Sequence, residues 1–183
     1  MITDLYKNFN ELKKEKKEGI DYIIKTHKNS IIIVAPHGGT IEPTDEICKN
    51  IAGDLSYYCF IATCENEKLH ITSSNFDEPQ AINLIKLHKI VLTIHCAGKD
   101  DFIFIGKNEA IRNALSQKLR ENFFVEAFEK SKFQLRKENI CNKGNNKLIQ
   151  IELSRGYRNK MLENKNFLSI FTKIVREVLF NHI

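Results

Sequence analysis

The chain has 183 residues, 42% hydrophobic and 28% charged, which is enough to bury one core and too little for two, so a single domain over residues 1–183 is expected. Its formal charge of +5, from 28 basic against 23 acidic residues, suits an acidic partner, although a lysine-rich solvated surface produces the same count. No apolar run reaches membrane-spanning length, the opening "MITDLYKNFNELKKEKKEG" carries charges where a signal peptide needs its apolar centre, and the five cysteines form no CxxC pair; these features argue against a membrane partner, a secreted disulfide scaffold and a four-thiolate zinc site. The cytoplasm is the expected location, with Cys48, Cys59, Cys64, Cys96 and Cys141 mostly reduced and in the core.

In chain order, Leu5, Phe9 and Leu12 predict a polar helix up to about Gly19. "DYIIKTHK" and "SIIIVAPH" read as strands, the second apolar throughout as in a strand buried on both faces. "PTDEICKNIAGDL" reads as a helix with Thr44 as N-cap and Gly53 as its stop. A strand "YYCFIATC" and a helix "DEPQAINLIKLHK" follow, the helix opening with acidic residues and a proline. "IVLTIH" and "DFIFIG" are strands, "KNEAIRNALSQKLREN" an amphipathic helix, "KLIQIELS" a strand and "NFLSIFTKIVREVLF" a closing helix. Apolar strands alternating with amphipathic helices define an α/β fold: an open mixed, mostly parallel sheet flanked by helices. Such sheets carry their chemistry beyond the carboxyl ends of the strands.

That rule selects His37 at the end of "IIIVAPH", Glu42 shortly after it, His95 at the end of "IVLTIH" and Glu152 near the end of "KLIQIELS". Two imidazoles and a carboxylate from separate segments are what a catalytic zinc site uses, with a fourth position left for water and Glu152 left to act as general base. The competing reading makes each histidine a hydrogen-bonded strand end. "HGG" also matches the oxyanion loop of esterases, but no GxSxG nucleophile elbow accompanies it.

In "LHITSSNFDEPQ", Asp77 reads as a helix cap and His70 as a substrate contact or a support for the site. A Ser73–His70–Asp77 triad is set aside, because triad partners rarely lie so close in sequence. In "NICNKGNNKLIQIELSRGYR", Arg155 and Arg158 follow a candidate catalytic strand and could hold a substrate carboxylate or an oxyanion, whereas Lys147 reads as solvated.

"APHGGTIEP", "LHITSSNFDEP", "IVLTIHC", "NICNKG" and "IQIELSRGYR" occur in the order and approximate spacing of the poly-gamma-glutamate hydrolase family, which the chain resembles from about Asp21 to Arg158. The family comprises phage-associated zinc peptidases with a zinc carboxypeptidase-like fold. The resemblance implies zinc as cofactor, His37, Glu42 and His95 as its ligands, Glu152 as general base, and Arg155, Arg158, Asn142 and Lys143 as substrate or oxyanion contacts. Three departures stand out: Lys143 where arginine is usual, Cys96 beside His95 where glycine is usual, and Lys107 in "FIGK".

The function expected is zinc-dependent hydrolysis of amide bonds, foremost gamma-glutamyl linkages in an acidic peptide or polyglutamate. The rival enzyme is a zinc deacylase of small N-acyl amino acids. The rival outside enzymes is a nucleic-acid-binding or phage replication-associated module, to which "KSKFQLRK", Lys130 to Lys137, points. Aromatics on apolar stripes, with no recognised nucleic-acid motif, argue against it.

Overall fold

A computed structural model describes residues 4–26, 30–39, 42–63, 69–98, 101–126, 138–144 and 147–183. The ends of two expected strands (27–28 and Cys64) and the basic segment 130–137 lie outside these. Six strands, β1 (Tyr22–Thr26), β2 (Ile31–Gly39), β3 (Ser56–Ala62), β4 (Ile90–Ala97), β5 (Ile103–Lys107) and β6 (Lys147–Ser154), form one sheet in the order β1-β3-β2-β4-β6-β5. The four central strands run parallel and the two edges antiparallel, which is the mixed, mostly parallel sheet expected from the sequence.

Strict alternation along β2 feeds two cores. Ile31, Ile33 and Ala35 pack with α2 (Thr44–Ala52), α4 (Glu109–Leu119), α5 (Arg155–Glu163) and α6 (Lys165–Phe180). Ile32 and Val34 face α1 (Phe9–Glu15) and α3 (Pro79–Leu87) with Phe76, Ile71 and Ile140. Burial on both faces explains why β2 and β4 read as continuous apolar runs. Among the described residues no helix is long and apolar enough to cross a membrane.

Several local expectations need correction. The first helix ends at Glu15, not near Gly19, because Lys17 closes a turn with Asp21 instead: the Asp21 amide donates to the Lys17 carbonyl, and the Asp21 carboxylate accepts from the Lys17 amide and Lys16 Nζ. Pro43, not Thr44, is the N-cap of α2; the Thr44 hydroxyl donates back to the His37 carbonyl. Glu78, not Asp77, caps α3, accepting from the Gln80 and Ala81 amides, while Asp77 accepts from the Phe9 amide and Asn10 and so anchors α1. A helix not anticipated, α5, follows β6 directly, with Ser154 accepting from the Tyr157 amide.

The glycines after His37 are required by backbone geometry. Gly39 has φ 99°, and a Cβ there would overlap the Ala62 carbonyl; at Gly38 a Cβ would stand 2.7 Å from the Asp45 Cβ. Gly19 also has positive φ (84°) but open space around it. Gly39→Ala is therefore expected to cost roughly 2–4 kcal/mol in urea unfolding, against about 1–2 kcal/mol for Gly19→Ala, where only the left-handed conformation is penalised.

Candidate metal centre and active site

Three adjacent parallel strands deliver the polar groups. On β4, Val91, Thr93 and His95 share the α1/α3 face, opposite Ile90, Leu92 and Ile94. On β6 the same alternation turns Gln150 and Glu152 to that face, and the register sets Glu152 beside His95. His37 arrives differently. Alternation alone would put it on the face of Ile33 and Ala35, but between Ala35 and Gly38 the register against β3 shifts, three steps of β2 matching two from Cys59 to Ile61. This bulge brings His37 onto the α1/α3 side, 6.3 Å from the Phe76 ring.

These groups line a cavity of about 160 Å³ formed by His37, Glu42, His70, Thr72, Ser73, His95, Cys96 and Glu152. The His37 ring stacks on His70 at 4.4 Å and meets His95 edge-on at 5.6 Å. Glu42 Oε2 is 4.0 Å from His37 Nδ1. His37, Glu42 and His70 each offer one donor atom within 4.8 Å of the others.

The hydrogen bonds determine which ring nitrogens remain free. His37 Nε2–H donates to the Ile71 carbonyl at 2.6 Å, because a carbonyl can only accept, so Nδ1 carries the lone pair beside Glu42. His70 Nδ1–H donates to Asp4 Oδ1 at 2.8 Å by the same logic, leaving Nε2 as an acceptor. His95 Nδ1 lies 3.1 Å from Ser73 Oγ, and its Nε2 is buried with no hydrogen-bond partner among the described residues. A buried imidazole nitrogen without a partner costs about 1–3 kcal/mol, which a bound cation would relieve when Nδ1–H donates to Ser73. The donor set, two imidazoles and a carboxylate with a third imidazole close by, fits zinc.

Electrostatics follow from burial. Desolvation, with the neighbouring histidines adding, pushes both His37 and His95 down to about 3. Burial, reinforced by Glu42 and opposed by the Gln150 amide and Arg158, raises Glu152 to about 8. Burial would raise Asp4 too, but hydrogen bonds from Thr72 and His70 outweigh it and hold the carboxyl below its ordinary value.

A family model for poly-gamma-glutamate hydrolase matches residues 6–178. The chain belongs to the poly-gamma-glutamate hydrolase family. Membership makes it an enzyme, a hydrolase. It is 33% identical over 189 aligned positions to the UPF0714 protein YndL of Bacillus subtilis (strain 168), covering 97% of this chain and 72% of YndL. The SPbeta prophage-derived UPF0714 protein YoqZ of the same organism is 29% identical, covering 98% of this chain and 74% of YoqZ. A bacteriophage poly-gamma-glutamate hydrolase shares the fold at TM-score 0.87 and 24% identity, covering 98% of each chain. A zinc-free apo structure of YndL matches at TM-score 0.86 and 30% identity, covering 98% of this chain and 99% of that one.

Within this family member, His37, Glu42, His70, His95 and Glu152 converge on one cavity, while the other candidates stand further off. Arg155 is exposed at the start of α5. Arg158 is buried, and its Nη1 donates to Cys96 Sγ at 2.6 Å. Asn142 and Lys143 sit on a 3-10 turn (Ile140–Lys143) that docks on the 70–73 loop through the Ile140 amide and the Ser73 carbonyl, and neither lines the cavity. Sequence reasoning missed Asp4, which no motif marks. It also missed Ser73 as the partner of His95, for which the dense polar loop was the available signal.

The three shifted groups give the metal-free protein a defined pH response. His37 and His95, depressed below 6.5, bind fewer protons folded than unfolded, so stability falls as pH drops below about 6.5. Glu152, raised above 4.5, acts oppositely, so stability falls as pH rises towards about 8. Two histidines outweigh one carboxyl where the windows overlap. Unfolding midpoints of chelator-treated protein should therefore peak near pH 6.5, and Glu152→Gln should remove the decline on the alkaline side.

Proposed function

We propose that the chain is a zinc-dependent amide hydrolase acting on gamma-glutamyl linkages of poly-gamma-glutamate or related acidic peptides. The observation that carries the reading is one cavity in which His37, Glu42 and His70 offer donor atoms within 4.8 Å of one another, with His95, whose buried Nε2 has no hydrogen-bond partner among the described residues, lining the same cavity and Glu152 on the adjoining strand. His37, Glu42 and His95 would hold the ion. His70, more exposed than His37, is left for the substrate. A bound zinc ion supplies Lewis acidity, polarising a carbonyl oxygen and lowering the pKa of water.

The chain's own residues divide the remaining work. A Glu152 carboxylate oxygen takes the proton of the attacking water and delivers it to the departing nitrogen. Its raised pKa suits both roles, since the group holds a proton near neutrality and a cation in the cavity favours its ionised form. The Gln150 amide, hydrogen-bonded to Glu152 Oε1, fixes the carboxylate's orientation. Phe104, across the strand pair from Glu152, keeps water off one side. For a substrate carboxylate, Arg158 is favoured over Arg155, because its guanidinium is buried beside Cys96 and its Nε has no hydrogen-bond partner among the described residues. The chain's net charge of +5 suits a polyanion. Membership of a family whose relative YndL has a structure described as zinc-free supports the choice of metal.

Metal analysis and a hydrolysis screen over gamma-polyglutamate, gamma-glutamyl dipeptides, peptidoglycan fragments and N-acyl amino acids test this together. Wild-type protein should bind one zinc and cleave gamma-linked substrate in a chelator-sensitive manner. His37→Ala and His95→Ala should lose the metal, whereas His70→Ala should retain it. Glu152→Gln should also keep the zinc but lose about 10²–10⁴-fold in kcat. Chelator-resistant turnover, or full activity in Glu152→Gln, would refute the assignment.

A further inference from the structure

We infer that Asp4 is a positioning residue for this site, acting through the loop of residues 70–73 and through the tautomer of His70. Its Oδ1 accepts from His70 Nδ1 at 2.8 Å, while Oδ2 accepts from the Thr72 amide at 2.8 Å and the Thr72 hydroxyl at 2.6 Å. Three donors thus converge on one carboxylate that is itself only partly exposed.

The loop so held reaches every imidazole of the cavity. It carries His70 itself, the Ile71 carbonyl fixes His37 Nε2–H, and Ser73 Oγ meets His95 Nδ1. Its far end is pinned by the Ile140 amide on the Ser73 carbonyl, so Asp4 supplies the restraint at the near end. Because a carboxylate only accepts, Asp4 also keeps the His70 proton on Nδ1 and the lone pair on Nε2.

A merely structural tether would look different, and the chain contains one. Asp77 ties the same N-terminal segment to the same region, through the Phe9 amide at 2.5 Å and Asn10 at 3.0 Å, yet among the described residues these hydrogen bonds reach none that lines the cavity. Asp77→Asn is therefore the matched control for Asp4→Asn. In Asp4→Asn one carboxylate oxygen becomes an NH₂ group. Facing Thr72, it loses the bond from the Thr72 amide while the remaining oxygen still accepts from His70; facing His70, it forces the ring proton to Nε2. Asp4→Ala removes both acceptors at once and leaves His70 Nδ1 without one.

The part concerning the tautomer stands apart from the hydrolase reading, whereas the part concerning turnover rests on it. Long-range ¹⁵N–¹H spectra of metal-free protein should show His70 as the Nδ1–H form in the wild type and in Asp77→Asn, and shifted towards the Nε2–H form in Asp4→Ala. Hydrolysis of gamma-polyglutamate by zinc-loaded protein should fall about 10–100-fold in kcat/KM for Asp4→Asn and stay within about twofold for Asp77→Asn. A wild-type His70 protonated on Nε2 overturns the inference even if Asp4→Asn fails to fold. So does an unchanged His70 spectrum in Asp4→Ala, or equal effects of Asp4→Asn and Asp77→Asn on kcat/KM. Absence of hydrolysis by wild-type protein would count against the proposed function alone, since the spectra still decide the tautomer.

Discussion

Parallel pairing of β4 with β6 sets His95 directly beside Glu152, and the register that does so tolerates no slip. Side chains alternate with a period of two, so moving either strand by one residue would turn its polar member into the apolar core under α2, α4, α5 and α6. Leu92, Ile94, Ile149 and Ile151, packed in that core, hold the register. The catalytic face is thus specified largely from the opposite side of the sheet, where apolar burial leaves no alternative.

Around that pair, each imidazole is engaged through one ring nitrogen. His37 is held by the Ile71 carbonyl, His70 by Asp4 and His95 by Ser73. This arrangement buries polar groups in the interior, where ionisation of His37 and His95 is suppressed and the Glu152 proton is retained. A cation entering such a site meets a neutral His37 whose Nδ1 lone pair is already oriented, so little reorganisation of that ring accompanies binding. Cys96 and Arg158 extend the same economy behind the site, the guanidinium contacting a thiol sulfur next to His95.

The strands and most helices were legible because their signals are local. β2 and β4 are apolar along their length, and of the apolar stripe of α6, Phe171 and Val178 enter the core while Phe167, Ile170 and Ile174 pack partly buried against it. Caps were less legible. Thr44, Asp77 and Glu78 are all suitable capping residues, and the choice among them was made by distant partners: the His37 carbonyl for Thr44 and the α1 amides for Asp77. The helix α5 went unread because Gly156 weakens its first turn and few apolar residues mark its face, although Ser154 offered a cap. Of the candidate contacts, Arg158 is buried against Cys96, Arg155 is exposed, and Asn142 and Lys143 sit on the turn whose Ile140 amide holds the 70–73 loop, outside the cavity.

By itself, the sequence determined the α/β class, the strand ends at which chemistry collects, and the residue types there, because hydrophobic period and turn residues act over a few positions. It also carried the family, through five short blocks in fixed order. Only the tertiary structure decided that His37 turns towards His70 and His95, since that depends on a bulge against β3. It alone decided that Asp4, 66 residues before His70 in the chain, completes the ring's hydrogen bonding. Contacts across such separations are set by how strands and helices pack, and no local pattern encodes them.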